Sequence, residues 1–129
     1  MGDKFDMSGD FRGAIVNIKS TLKNVRQSVG DIPSTDESSR EELRNLIAKL
    51  ESTLEEVPED KQDQAQAVAQ TAQALVEQAK TDKPNQTMLQ ITAEGLKQAA
   101  QNFAEVMPTV VTIASQIVLA IGRLTGHST

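Results

Sequence analysis

A chain of 129 residues with 13 Lys and Arg against 18 Asp and Glu carries a formal charge of -5 and contains no cysteine. Such a length supports a single core that buries roughly two thirds of the unfolded chain's surface, and the missing thiols exclude disulfides, thiolate metal sites and cysteine nucleophiles. Three Phe are the only aromatic residues; with no stacking platform and an acidic balance that repels phosphate backbones, nucleic acid is not an expected partner.

The charge is unevenly spread. Residues 1–30 hold five basic and three acidic side chains, 31–63 hold four and eleven, and 64–129 hold four of each. Residues 1–13, "MGDKFDMSGDFRG", have Phe5, Met7 and Phe11 at roughly alternate spacing, which predicts an extended arm or a small hairpin turning at Ser8-Gly9. No basic region followed by an apolar run marks a signal peptide. Gly2 is a poor myristoylation site, with Lys4 and Phe5 close behind it and Asp6 where Ser or Thr is wanted.

From residue 14 the period changes to that of a helix. Ile15, Ile18, Leu22, Val25 and Val29 form one stripe, which Gly30, Asp31 and Pro33 end. Between Phe11 and Gly30 there is no acidic residue, whereas Arg12, Lys19, Lys23 and Arg26 are basic. A basic amphipathic helix suits an anionic membrane surface or an acidic partner. Internal packing against the acidic helix from Asp36 to Val57, by charge complementarity and apolar burial, explains the same pattern and is preferred.

That acidic segment begins its helix at Ser34 and Glu37, spaced as a capping box, or at Asp36 as the cap. Leu43, Leu46, Ile47, Leu50, Leu54 and Val57 give its dry face before Pro58 closes it. A third helix, rich in Ala and Gln, places Ala65, Val68, Ala72, Leu75, Val76 and Ala79 on one stripe. Such small residues allow close packing, either within the bundle or in a homodimeric scaffold. Pro84 breaks the chain, Asn85 or Thr87 caps a further helix, and one helical phase then runs from Leu89 through Leu96, Ala99, Phe103, Val106, Val110, Ile113, Ile117 and Ile121 to Leu124. Pro108 is expected to kink or divide this last helix, with a kink preferred.

The run from Val106 to Gly122 is seventeen residues without a charge, about 26 Å of helix against a hydrocarbon core of about 30 Å. Thr109, Thr112, Gln116 and Arg123 make a narrow polar stripe, which a buried helix needs and a constitutive membrane span does not. Val110, Val111, Ile113, Ile117, Val118 and Ile121 are therefore either core or a segment for conditional membrane insertion, with buried core preferred.

No reaction centre emerges. His127 is the only histidine and stands near the chain end, where a base or ligand lacks rigid partners. Asp3, Asp6 and Asp10 lack the alternate spacing of a calcium loop. The carboxylates of "EEVPED" and Asp63 belong to a helix junction, and the glycines of "SGDFRG" are not followed by a phosphate-loop Lys-Ser/Thr. A non-enzymatic chain with no cofactor, no metal and no small-molecule substrate is the expectation.

The segments "SGDFRGAIVNIKSTLKNV", "ITAEGLKQAA" and "VMPTVVTIASQIV" together resemble a small all-helical module of cyanobacteria and other bacteria. It occurs alone or joined to signalling and defence-type domains such as TIR, pentapeptide-repeat or NTPase domains. This resemblance spans nearly the whole chain, implies a bacterial signalling or defence setting, and carries no catalytic residue. "FRGAIVNI" is also loosely similar to the short self-assembling motifs that trigger bacterial membrane-targeting helical domains, although Ile15 and Ile18 fit the helical stripe.

The expected architecture is all-α: an N-terminal arm at 1–13, an antiparallel four- to five-helix bundle at 14–125 and a flexible tail at 126–129. The expected function is that of an interaction or oligomerisation adaptor, with a protein partner or self-association, in the cytoplasm or peripheral at the inner membrane. A conditional membrane effector and an alanine-faced homodimer are the alternatives.

Overall fold

A computed structural model describes residues 2–34, 36–81 and 84–125, with side chains in the first helix described from Ile15 onward. Five α-helices, with no strand among the described residues, occur in the order α1 (Gly2–Val29), α2 (Glu37–Leu54), α3 (Gln62–Ala79), α4 (Gln86–Gln101) and α5 (Pro108–Thr125). A short 3-10 turn, Glu59–Lys61, leads into α3.

The predicted stripes form the core. Ile18, Leu22, Val25 and Val29 of α1 are buried, as are Leu43, Leu46, Ile47, Leu50 and Leu54 of α2 and the complete Ala65-to-Ala79 stripe of α3. α1 lies between α2 and α3, which, although consecutive, barely touch. α2 continues onto α5 and α3 onto α4, so the five helices close a ring with the thinnest packing between α4 and α5. Ion pairs Lys19–Glu55 and Arg26–Glu51 run in opposite chain directions, making α1 and α2 antiparallel.

Side-chain caps start α2 and α4. Asp36 caps α2, its carboxylate accepting from the Ser39 amide at 3.0 Å and the Ser39 hydroxyl at 2.7 Å. Ser34 does not close a capping box; its hydroxyl accepts from the Asp36 amide at 3.1 Å. Asn85 caps α4 by accepting from the Met88 amide at 3.0 Å. Arg40, buried beneath the α1–α2 linker, donates to the carbonyls of Ile32 at 2.8 Å and Ser34 at 2.6 Å and pairs with Glu37. A buried guanidinium is tolerable when its charged end finds fixed acceptors, as Nη1 and Nη2 do here while Nε has no partner among the described residues.

Two expectations are corrected. The extended arm is absent: α1 begins at Gly2. Once burial has fixed the turns from Ile15 to Val29, each further residue adds a helical hydrogen bond without a new nucleation cost. An isolated two-stranded hairpin has no comparable support. At 28 residues, α1 is about 42 Å long against about 27 Å for the 18-residue α2.

Pro108 likewise does not kink a long helix; of the two outcomes expected there, the run is divided. Pro108 is the first residue of α5, and residues 102–107 form the turn after α4. A proline lacks the amide that a helix interior requires, but at the first helical position that amide has no intrahelical partner anyway. The chain reverses before it, with the Met107 amide donating to the Phe103 carbonyl at 2.8 Å. Loss of helical phase across this turn leaves Val106, expected on the stripe, 48% exposed. The 126–129 tail and His127 lie outside the described residues.

The hydrogen bonds from the Ser39 amide and then its hydroxyl hold the Asp36 carboxyl below the ordinary carboxylate range. A depressed acid stabilises the fold above its unfolded pKa and loses that contribution as pH falls through its folded value. Asp36→Ala therefore lowers the melting temperature at pH 7, and its deficit relative to wild type shrinks once the pH falls below about 3.9. Thermal melts followed by circular dichroism across that range provide the check.

Candidate interaction surface

The basic positions of α1 divide by what faces them. Lys19 reaches Glu55 at 3.6 Å and Arg26 reaches Glu51 at 3.2 Å, both on or just beyond α2. Half of the expected cationic face thus serves the helix interface. Lys23 is exposed and makes no ion pair with a described residue, and the side chain of Arg12 lies outside the described set. Lys23 and Arg26 share a shallow depression with Glu41 and Arg44, and Arg44 is itself 3.2 Å from Glu41. Three bases and one acid line the depression, and the pairing of Arg26 with Glu51 and of Arg44 with Glu41 offsets two of the three positive charges.

The uncharged run divides as well. Val110, Ile113, Ile117 and Ile121 are buried, while Val111 and Val118 are partly buried against the core. Thr109, Thr112, Gln116 and Arg123 point outward as their polar stripe predicts, and Arg123 donates to Glu42 of α2 at 2.7 Å. α5 is long and apolar enough to cross a membrane by length and composition, yet only seven of its 18 positions are buried. Packing on α2 fastens one flank of α5, and the flank toward α4 is more open.

That open flank is a groove of about 480 Å³ between α4 and α5. Leu75, Leu89 and Ile121 reach it from the core, Ala93 and Val118 form its partly buried sides, and Leu119 stands at its edge, 59% exposed. Gln90, Glu94, Lys97 and Thr125 supply a polar rim. Grooves with an apolar floor and a polar rim accept amphipathic helices or protruding apolar side chains. Among the described residues, no group of three or more His, Asp and Glu is placed to hold a metal ion.

Leu119 belonged to neither the expected core nor the expected interaction face. It falls beside the polar stripe of α5, and a large apolar residue out of phase with the buried stripe was the signal available for it. The alanine stripe of α3, by contrast, is consumed inside the bundle, where Ala65, Ala72 and Ala79 are at most 1% exposed. Self-association through those alanines would require the bundle to open.

The geometry therefore defines a five-helix, all-α bundle with a groove of apolar floor and polar rim at its least tightly closed seam. A family model for a domain of unknown function, DUF4404, matches residues 43–124, and the chain belongs to that family. The matched region takes in most of α2 and all of α3 and α4, ending one residue short of the end of α5; α1 lies outside it. No curated protein and no solved structure matches the chain.

Opposite roles for two neighbouring cations arise from their partners. Arg26→Ala costs about 0.5 kcal/mol, in the range of partly exposed ion pairs, and the loss diminishes in high salt. Lys23→Ala changes stability by less than about 0.5 kcal/mol, as expected for an exposed position. Urea unfolding at low and high ionic strength separates the two.

Proposed function

We propose that this chain is a non-enzymatic helical interaction module that engages a protein through the α4–α5 face, in the signalling or defence setting its resemblance implies. The observation that carries the reading is the groove with Leu119 exposed at its edge. An exposed leucine alone is ordinary, but an exposed leucine continuous with an apolar concavity is a feature of binding sites. The working location is the cytoplasm, with peripheral association at the inner membrane as the variant that a membrane-docking reading requires. A photo-crosslinking amino acid at Leu119 is expected to give a discrete protein adduct in cells, and the same probe at the exposed Lys49 of α2 is not. No adduct at 119, or equal adducts at both positions, would reject this face.

A second reading is conditional membrane docking of α5, favoured by its length and apolar composition. Leaving the bundle would expose the partners of Val110, Ile113, Ile117 and Ile121 on the other helices, so lipid contact has to replace that burial. Flotation with vesicles of neutral and anionic lipid, combined with dye release, tests it. Co-flotation with release is the expected result of this reading, and failure to float at any lipid composition or pH eliminates it.

A further inference from the structure

The occupant of the α4–α5 groove is constrained by charge. Residues 31–63 hold four basic and eleven acidic side chains, so a second copy of this chain approaching that side meets like charge. Residues 84–125 hold two bases, Lys97 and Arg123, and two acids, Glu94 and Glu105, and are neutral. Along α5 itself no charge occurs between Pro108 and Gly122. The α4–α5 side lets copies of an acidic chain come together without a net repulsive penalty.

The groove also has the parts of a self-complementary contact. It offers a concavity of about 480 Å³ and, at its edge, the exposed Leu119 as a projection able to enter the same concavity on another molecule. Among the described residues, the charged ones lining it are Glu94 and Lys97, one acid and one base a turn apart on α4. In a two-fold contact the same patch serves both molecules, so any residue i that meets j is matched by j meeting i. Antiparallel apposition of two α4 helices sets Glu94 of each copy against Lys97 of the other.

We infer that the groove between α4 and α5 is a homodimer interface, closed by a two-fold axis that seats Leu119 of each copy in the groove of the other and crosses Glu94 with Lys97. This rests on the interaction-module reading and names its partner as a second copy. Small apolar side chains at Ala93 and Val118 leave the concavity open to that leucine. The Glu94–Lys97 crossing sets the direction of the pair, because a parallel arrangement apposes like charges.

The test is the mass of the full chain by light scattering and sedimentation from about 1 μM to about 1 mM, the range in which moderate affinities show. A concentration-dependent dimer is expected. Leu119→Glu, which puts a charge into the groove, should raise the dissociation constant at least about tenfold, equivalent to about 1.4 kcal/mol. Glu94→Lys and Lys97→Glu alone should each weaken the dimer, and the double exchange should restore it. Circular dichroism melts confirm that each variant is folded; all three positions are exposed. A dimer indifferent to Leu119→Glu, or a double exchange that fails to rescue, overturns the interface while leaving self-association standing. A monomer throughout, with a crosslinked adduct at 119 to a different protein, overturns the homodimer and leaves the interaction module. A monomer that instead floats with vesicles overturns both in favour of membrane docking.

Discussion

The seating of α1 between α2 and α3 governs the rest of the structure. Ile18, Leu22, Val25 and Val29, all at most 1% exposed, fill the space that would otherwise let two consecutive helices pack directly. Because α2 and α3 are held apart, each must find its second neighbour elsewhere, and α5 and α4 supply those neighbours. The last two helices then close the ring, and the seam between them is the thinnest. The groove is a geometric consequence of that closure: the last pair is shaped by what the other helices have already occupied.

α1 also shows how electrostatics and burial divide the work. Its apolar stripe holds it in place through water exclusion, an effect of order 1.5–3 kcal/mol for each large side chain fully buried. Its pairs to Glu51 and Glu55 are partly exposed and contribute far less. They favour one orientation over another, since an α1 inserted the other way would lose the match with the acidic face of α2. Arg40 completes the arrangement by tying the linker carbonyls of Ile32 and Ser34 to the first turns of α2. Family membership of residues 43–124 adds a structural point: the matched portion leaves out α1, the helix that here fills the space between α2 and α3.

Much of the fold was legible from periodicity. Stripes at three- and four-residue spacing named nearly every buried position in α1, α2 and α3, because each helix hides one face and an amphipathic pattern records which. Caps were nearly as readable: Asp36 and Asn85 are short acceptors immediately before helical runs. The misses have common origins. The first 13 residues carry no helical stripe, so their helix depends on propagation from a neighbour. Phase continuing across Pro108 concealed a reversal, since residues 102–107 turn while the apolar positions still count correctly at Phe103 and Val110. Leu119 was silent because an exposed apolar residue acquires meaning only when a concavity lies beside it.

By itself, the sequence determined the helical class, the dry face of each helix, most boundaries and the neutrality of the last two helices within an acidic chain. These are local quantities, set by spacing, caps and charge along a few turns. Tertiary structure alone decided that α1 separates α2 from α3, that Lys19 and Arg26 are turned toward Glu55 and Glu51, and that the alanine stripe lies inside while Leu119 stands beside a groove. The physical reason is that a stripe states which face must leave water and leaves open which other stripe will cover it. That choice is made by the competition of all five helices for one core.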